Sequence, residues 1–344
     1  MNSITKDELI IWLNHLAQQQ PLIAPKDVDG VLLYKPVKNS AEIVLNYIRP
    51  KMSAKEYFFP PTEQLFTIDK NNQSVIIHET IPDERQIIFG IRPCDARGLG
   101  ILDNLFVETE PLDPYYIKRR TNTILIGLAC KAMGDTCFCN NMGITPDNHQ
   151  DMDVMLYEID DHYFVRTITD KGRSVTEDLH AGSDSLIVAD AACCNHPKDD
   201  RSSDEYSSLS DYQSLQQNPQ SWPAHFTDEY WELMSERCLS CRICAYVCPT
   251  CRCFIVRDED LHTNGKQYER IRCWDSCTGV NYRKTAGGHN PRPNKGQRLR
   301  NRFYCKFLYY QEQYGPQACT GCGRCIDSCP VNIDITEVLG YLNK

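Results

Sequence analysis

The chain has 344 residues and a formal net charge of −9 at pH 7, and 19 of its residues are cysteine. Its length corresponds to about two domains, which can bury a sizeable core without disulfide bonds. The acidic balance argues against a protein that binds nucleic acid through bulk positive charge, and no apolar run is long enough to predict a membrane-spanning helix.

The first predicted element is an amphipathic helix near the N-terminus. Leu9, Leu13 and Leu16 recur at helical spacing, and Thr5 and Glu8 are placed as a capping box. This segment does not have the composition of a secretory signal peptide. Because the cysteines are also odd in number and separated mainly by two-residue gaps, we expect a cytoplasmic protein whose reduced thiols bind metal.

The region up to residue 196 has the pattern of an α/β domain. Ile87–Ile91 and Thr123–Leu128 are nearly continuous apolar runs, as in strands buried on both faces. The apolar stripe within Leu99–Phe106 predicts a helix between them. Further strands are predicted at Val154–Ile159 and Tyr163–Ile168, which form a hairpin, and at Ser185–Val188.

The composition then changes twice. Residues 197–223 are rich in Ser, Asp and Gln and predict a polar linker. Residues 224–344 contain 13 of the 19 cysteines and show weak helix and strand periodicity. They predict an α+β, bacterial ferredoxin-like domain that metal clusters stabilise, ending in a helix over Ile335, Val338 and Leu342.

Two cysteine-rich runs repeat within this second domain. Residues 238–249 (CLSCRICAYVCP) recur as residues 319–330 (CTGCGRCIDSCP), and both follow the bacterial ferredoxin pattern. In that pattern the fourth cysteine of each run binds the neighbouring cluster, which predicts two [4Fe–4S] clusters with exchanged ligands. The first cysteine set is Cys238, Cys241, Cys244 and Cys329, and the second cysteine set is Cys319, Cys322, Cys325 and Cys248.

This pattern favours electron transfer over substrate chemistry. A zinc site built from CxxC pairs is the alternative, but zinc does not need two complete four-cysteine runs that each end in Cys-Pro. A cluster with four protein ligands has no open coordination position, and exchanged ligands bring two clusters close together. Arg237, Arg242 and Arg324 adjoin the runs and either raise the cluster potentials or are solvated surface charges.

The first domain contains four more candidate ligands. Cys94 and Cys130 each follow a predicted buried strand, and Cys137 and Cys139 lie in a loop. If the strands are parallel neighbours, these thiols meet at one sheet edge, where ligand sites of open α/β sheets usually lie. We expect this third cysteine set to hold a third cluster, the alternative being small buried hydrophobic side chains.

Other cysteines and a basic segment lack a recognised pattern. The fourth cysteine set is Cys251, Cys253, Cys277 and Cys305. It forms another metal site or lines the pocket of a neighbouring cluster, and its spacing, which fits no ligand template, favours the second interpretation. Cys193-Cys194 are interpreted as core thiols, and Cys273 has no predicted role. Residues Arg283–Arg302 form a basic segment. Three interpretations are open: a solvated loop, a docking site for an acidic partner, or a source of hydrogen bonds to cluster sulfurs.

Longer stretches of the sequence carry a resemblance to a known family. They are residues 90–106 (GIRPCDARGLGILDNLF), 137–139 (CFC), 248–254 (CPTCRCF), 274–277 (WDSC), 287–293 (GGHNPRP) and 300–306 (RNRFYCK). In them the chain resembles the β subunits of cytoplasmic sulfhydrogenases, which are nickel–iron hydrogenase/sulfur reductases. More loosely, it resembles the A subunits of anaerobic sulfite reductases. No nucleotide-binding motif is present in the sequence, so flavin or nicotinamide chemistry has to come from another subunit.

The resemblance implies a subunit that relays electrons between an FAD- and NAD(P)H-binding subunit and a catalytic subunit. In the sulfhydrogenases the catalytic subunit is a nickel–iron hydrogenase, and in the sulfite enzymes it is a sirohaem reductase. We expect no turnover from this chain alone. The alternative is a self-sufficient reductase that uses an open iron–sulfur site in the N-terminal domain.

Overall fold

The computed structural model describes residues 2–71, 73–180, 221–262 and 265–343. The predicted strand over Ser185–Val188 and the Cys193-Cys194 pair lie outside the described residues, as does most of the predicted linker.

The described residues form eleven strands: β1 (Asn2–Thr5), β2 (Leu22–Val28), β3 (Val31–Val37), β4 (Thr62–Lys70), β5 (Val75–Glu79), β6 (Gln86–Ile91), β7 (Thr123–Leu128), β8 (Val154–Ile159), β9 (His162–Thr167), β10 (Phe254–Asp260) and β11 (Gln267–Trp274). The α-helices of the described part are α1 (Lys6–Gln19), α2 (Pro93–Phe106), α3 (Pro114–Asn122), α4 (Asp170–Thr176), α5 (Tyr230–Arg237), α6 (Ile243–Tyr246), α7 (Lys295–Tyr304), α8 (Tyr310–Tyr314), α9 (Arg324–Asp327) and α10 (Ile335–Leu342).

The main sheet has seven strands in the order β1–β9–β8–β7–β6–β2–β3. Its central strands β2, β6, β7 and β8 are parallel, and antiparallel strands complete both edges. The predicted buried strands and the predicted hairpin are confirmed to within one residue. Because β6 and β7 are parallel neighbours, their carboxyl ends lie at the same edge of the sheet.

Apolar side chains cover both faces of this sheet. Ile87 and Phe89 of β6 pack on one face with Leu9 and Leu13 of α1. Ile88 of β6 packs on the opposite face among side chains of α2. This arrangement explains why β6 is a nearly continuous apolar run, since a strand between two layers has no solvent-facing side.

Helix α1 begins where the sequence predicts. The Thr5 hydroxyl accepts a hydrogen bond from the Glu8 backbone N–H at 3.2 Å, and the Thr5 N–H donates to the Glu8 carboxylate at 2.6 Å. The two bonds satisfy backbone groups that the first turn of a helix leaves unpaired. The predicted capping box is therefore confirmed.

A second sheet joins distant parts of the chain. It has four antiparallel strands in the order β10–β11–β4–β5. Strands β4 and β5 precede the predicted linker, whereas β10 and β11 follow it. The bounds of the two domains stay a prediction, but this sheet draws strands from both of them. On β5, the side chains of Val75, Ile76 and Ile77 are exposed.

The C-terminal part has an apolar core of its own. Trp231 of α5, Phe303 of α7 and Leu339 of α10 are among its buried members. Helix α10 confirms the predicted closing helix. Between α7 and α8 the chain forms a π-helical segment over Cys305–Tyr309, so residues 295–314 make one helix with a local bulge.

Candidate metal centres

The two cysteine-rich loops share one backbone geometry. In the first loop Ser240 and Arg242 have φ values of 56° and 68°, and in the second loop Gly321 and Gly323 have φ values of 62° and 72°. Each loop then enters a short helix, α6 or α9. The repeat in the sequence is therefore also a repeat in conformation, with left-handed residues at two equivalent positions.

The structure brings the first cysteine set together. Its four members line a single small cavity, together with Cys325 of the second set. The Ser240 N–H donates to the Cys238 sulfur at 3.3 Å, and the Ile333 N–H donates to the Cys329 sulfur at 3.2 Å. Four thiols around one space, with N–H groups directed at two of them, fit a [4Fe–4S] cluster.

The second cysteine set also converges. Burial raises the pKa of Cys319 to about 11, although the Lys306 ammonium opposes this rise. Burial raises the pKa of Cys325 as well, and the nearby thiols of Cys322, Cys248 and Cys319 add to the effect. Metal ligands must be thiolates, so these buried thiols need a nearby positive charge, such as that of a bound metal, to lose their protons.

Cationic side chains surround these sulfurs. The buried Lys306 ammonium donates to the Cys248 sulfur at 3.2 Å. Burial alone would lower the pKa of Lys306, but the charges of Cys248 and Cys251 raise it. The buried Arg302 guanidinium donates to the Cys251 sulfur at 3.7 Å. Arg302 of the basic segment therefore contacts a cysteine sulfur of the fourth set, and the interpretation of this segment as a donor to cluster sulfurs stays a prediction. Lys306 lies beyond that segment and was missed.

The spacing of these thiols differs from that of a single-ion site. Among the described residues, no three His, Cys, Asp or Glu side chains are close enough to chelate one metal ion. A [4Fe–4S] cluster needs a wider arrangement of ligands, because each thiolate binds a different iron atom and the four cysteine sulfurs therefore stay apart.

The third cysteine set meets at the predicted sheet edge. Cys94 lies in the first turn of α2, after β6, and Cys130 follows β7. The pKa of Cys139 is raised by its hydrogen bond to Cys137, by burial, and by the thiols of Cys94 and Cys130. The four thiols therefore lie near one another. The Arg49 guanidinium donates to the Cys137 sulfur at 2.7 Å, which adds a cation to this group.

The loop that carries Cys137 packs on the second cysteine-rich loop. The Phe138 N–H donates to the Gly321 carbonyl at 2.8 Å. A Cβ atom on Gly321 would lie 2.6 Å from the Cys139 Cα, and one on Gly323 would lie 2.3 Å from the Thr136 carbonyl oxygen. Glycine is required at both positions for two reasons. The φ values are positive, and the backbone of the cysteine-rich loop is in contact with the backbone of residues 136–139. The third cysteine set therefore adjoins the second.

A buried ion pair joins the same two regions. Arg324 donates to both carboxylate oxygens of Asp95, at 2.6 and 2.7 Å, and both side chains are 1% exposed. Arg324 is thus not a solvated surface charge, and Asp95 neutralises it. Arg242 pairs with Asp275 at 3.1 Å, and Arg237 pairs with Glu337 at the surface.

The fourth cysteine set lies on the wall of another cavity. All four members line one cavity with a volume of about 830 Å³. Its lining also includes Arg252, Arg302 and Lys306. Cys273 is not part of that wall; it lies on β11, where it pairs with Ile255 and Thr62.

Comparisons with known proteins give the same picture. The 4Fe–4S dicluster domain family matches residues 237–333. The chain is 32% identical over 340 residues to "Sulfhydrogenase 2 subunit beta" of Pyrococcus furiosus, an alignment that covers 97% of this chain and 95% of that protein. No solved structure matches.

These matches bear on the fold as well as on the site. The described part of the chain contains no helix that is both long enough and apolar enough to cross a membrane. The structure is a mixed α/β fold with a C-terminal 4Fe–4S dicluster domain, as expected in part from the sequence. The extent and level of the identity to the Pyrococcus subunit show that this chain belongs to the family of sulfhydrogenase β subunits.

Proposed function

We propose that the protein is the iron–sulfur electron-transfer subunit of a multi-subunit oxidoreductase in the cytoplasm. In this proposal it relays electrons between an FAD- and NAD(P)H-binding subunit and a catalytic subunit of the hydrogenase, sulfur-reductase or sulfite-reductase type. The observation that carries the proposal is the convergence of the first cysteine set on one cavity, with Cys329 contributed by the opposite loop. The relative's name, a subunit of a sulfhydrogenase, supports the existence of partners.

The first and second cysteine sets would each hold one [4Fe–4S] cluster. Such a cluster, when bound, accepts and releases one electron at a time. The chain supplies four thiolates to each, which leaves no coordination position for a substrate. Exchange of Cys248 and Cys329 between the loops keeps the two sites adjacent, and Cys325 lines the cavity of the first set while belonging to the second.

The third cysteine set would hold a third cluster. Its support is the proximity of four thiols, the Arg49 donor to Cys137, and the backbone contact at Gly321. Because this contact adjoins the second set, a third cluster would extend the relay from the C-terminal loops to the edge of the main sheet. One end of the relay would then face each of two partner subunits.

Iron and acid-labile sulfide in anaerobically prepared protein test these assignments. We expect the Cys238→Ser/Cys241→Ser and Cys137→Ser/Cys139→Ser double variants each to lose about four irons and four sulfides per chain. Cys273→Ser is the control and should lose none. Protein without acid-labile sulfide would refute the proposed function, and an unchanged iron content in the second double variant would refute the third cluster alone.

The purified chain also separates a relay from a complete enzyme. We expect dithionite to reduce its clusters and an artificial acceptor to reoxidise them, without turnover of hydrogen, sulfur compounds or NAD(P)H. Turnover of any of these by the chain alone would favour the self-sufficient reductase instead.

A further inference from the structure

Three segments of the chain bring the fourth cysteine set to one cavity. Cys251 and Cys253 lie between the first cysteine-rich loop and β10, Cys277 follows β11, and Cys305 begins the π-helical segment. Residues so distant in the chain meet only through the tertiary fold. This explains why their spacing fits no ligand template. In the sequence, that spacing favoured the interpretation that these cysteines only line the pocket of a neighbouring cluster.

Three thiols of this set, those of Cys251, Cys253 and Cys277, are in contact or close to it, and the fourth, Cys305, lines the same cavity. Cys253 and Cys277 share a hydrogen bond, and Cys251 is near enough to Cys277 to act on it electrostatically. The Tyr282 hydroxyl donates to the Cys253 sulfur. On the remaining side, the Arg252 guanidinium donates to the Cys305 sulfur at 3.8 Å. Both donors are of the kind that stabilises a thiolate.

The charge around the cavity is suited to an anionic metal–thiolate group. Arg302 and Lys306 are buried cations in its lining. Of the two carboxylates that also line it, Asp113 is paired with Arg272 and Glu110 is exposed to solvent. Four thiolates outweigh the positive charge of the iron–sulfur core, so a cluster bound here would be an anion. The cations in the lining would compensate its charge.

The local backbone is specialised at the same place. A π-helical turn is rare and occurs often at functional sites, because its extra residue changes the direction of neighbouring side chains. Here it includes Cys305, whose sulfur contacts Arg252, and Lys306, whose ammonium contacts Cys248. The bulge thus serves this cavity and the second cysteine set at once.

We propose that Cys251, Cys253, Cys277 and Cys305 ligate a further iron–sulfur cluster in this cavity. This inference rests on the proposed electron-transfer function. Cys251 also shares a hydrogen bond with Cys248 of the second cysteine set. The second set therefore adjoins the first, third and fourth sets, which makes its cluster a branch point rather than one link in a linear chain.

The test compares two variants of the chain, prepared anaerobically with full iron and sulfide loading. Cys253→Ser/Cys277→Ser removes two contacting ligands, and Cys273→Ser removes a nearby thiol outside the cavity. We expect the double variant to lose about four irons and four acid-labile sulfides and the control to lose none. Unchanged iron and sulfide in the double variant would overturn the inference, and so would a loss of zinc without loss of sulfide.

The unmodified protein provides a second measurement that does not depend on how a variant folds. With this cluster the chain should hold about sixteen irons, and without it about twelve. A content of about twelve overturns the present inference when the Cys253→Ser/Cys277→Ser variant keeps all twelve and the Cys137→Ser/Cys139→Ser variant falls to about eight, because the first three sets then account for the iron. A chain with no sulfide overturns the proposed function instead.

Discussion

Arg324 and Asp95 show how much one pair of residues contributes to the arrangement of the sites. The pair is bidentate, both side chains are 1% exposed, and Arg324 also donates to the Pro50 carbonyl at 2.9 Å. Arg324 lies between Cys322 and Cys325, while Asp95 follows Cys94 directly. The ion pair therefore ties a residue of the second cysteine-rich loop to the first turn of α2.

Asp95→Asn should be strongly destabilising. The substitution keeps the shape of the side chain but leaves the Arg324 charge buried without its partner, which costs about 3–5 kcal/mol. Arg237→Ala, which breaks the exposed pair with Glu337, should cost at most about 1 kcal/mol. Anaerobic denaturant titration of the cluster-loaded protein measures both. Equal losses would show that burial of the first pair has no energetic consequence.

Within single elements, the two cysteine-rich loops differ where their surroundings differ. Ser240 and Arg242 occupy left-handed positions in the first loop, and neither is fully buried. The equivalent positions of the second loop are Gly321 and Gly323, since the backbone of residues 136–139 lies against them. Glycine appears only in the copy where another segment docks.

Gly323→Ala should destabilise the protein more than Gly143→Ala. Both glycines have a φ value of 72°, so each alanine incurs the left-handed penalty of about 1–2 kcal/mol. Only the Cβ at position 323 would meet another atom, the Thr136 carbonyl oxygen at 2.3 Å, whereas nothing lies within 4 Å of one at position 143. Thermal denaturation under anaerobic conditions measures the difference. If the two variants melt together, the loops do not dock as described.

The elements that could be predicted from the sequence are those encoded by short-range patterns. Helix α1, strands β6 and β7, the β8–β9 hairpin and α10 have clear periodicity or capping residues. Strands β4, β5, β10 and β11 were not predicted. The β4–β5 and β10–β11 pairs are local hairpins, but the pairing of β4 with β11 joins residues such as Gln64 and Glu269, 205 positions apart. Nothing in a local window specifies such a partner.

The same limit applies to the candidate sites. The ferredoxin pattern identifies the first two cysteine sets, and the two parallel strands led to the third. The fourth set was assigned to a lining role because its members are gathered by tertiary contacts alone. Lys306 was missed for the same reason. One signal was visible in the sequence: the second repeat has glycine where the first has Ser240 and Arg242, which indicates that another segment packs against the second repeat.

At the scale of the whole molecule, the predicted domains share structure. The second sheet takes β4 and β5 from one side of the linker and β10 and β11 from the other. The Arg324–Asp95 pair and the contact at Gly321 cross the same divide. The C-terminal part therefore depends on the N-terminal part for two strands, a counter-ion and a packing surface.

Residues 224–344 expressed alone should be unstable, and co-expression with residues 1–196 as a second chain should restore a complex. The fragment alone would expose the edge of β11 and leave the Arg324 charge without Asp95, which is costly when that charge is buried. Co-purification, iron content and thermal denaturation measure the outcome. An isolated fragment that retains the iron of its own cysteine sets and melts like the intact protein would contradict this dependence.

The pairing of β4 with β11 also imposes an order on folding during protein synthesis. Residues 64 and 269 leave the ribosome 205 positions apart, an interval of roughly 10–40 s at ordinary translation rates. During that time the edge of β4 that later pairs with β11 is free, a state that invites association between nascent chains. Completion of the second sheet therefore waits until most of the polypeptide has been made. A chaperone that binds the β4–β5 hairpin would prevent such association until β11 is available.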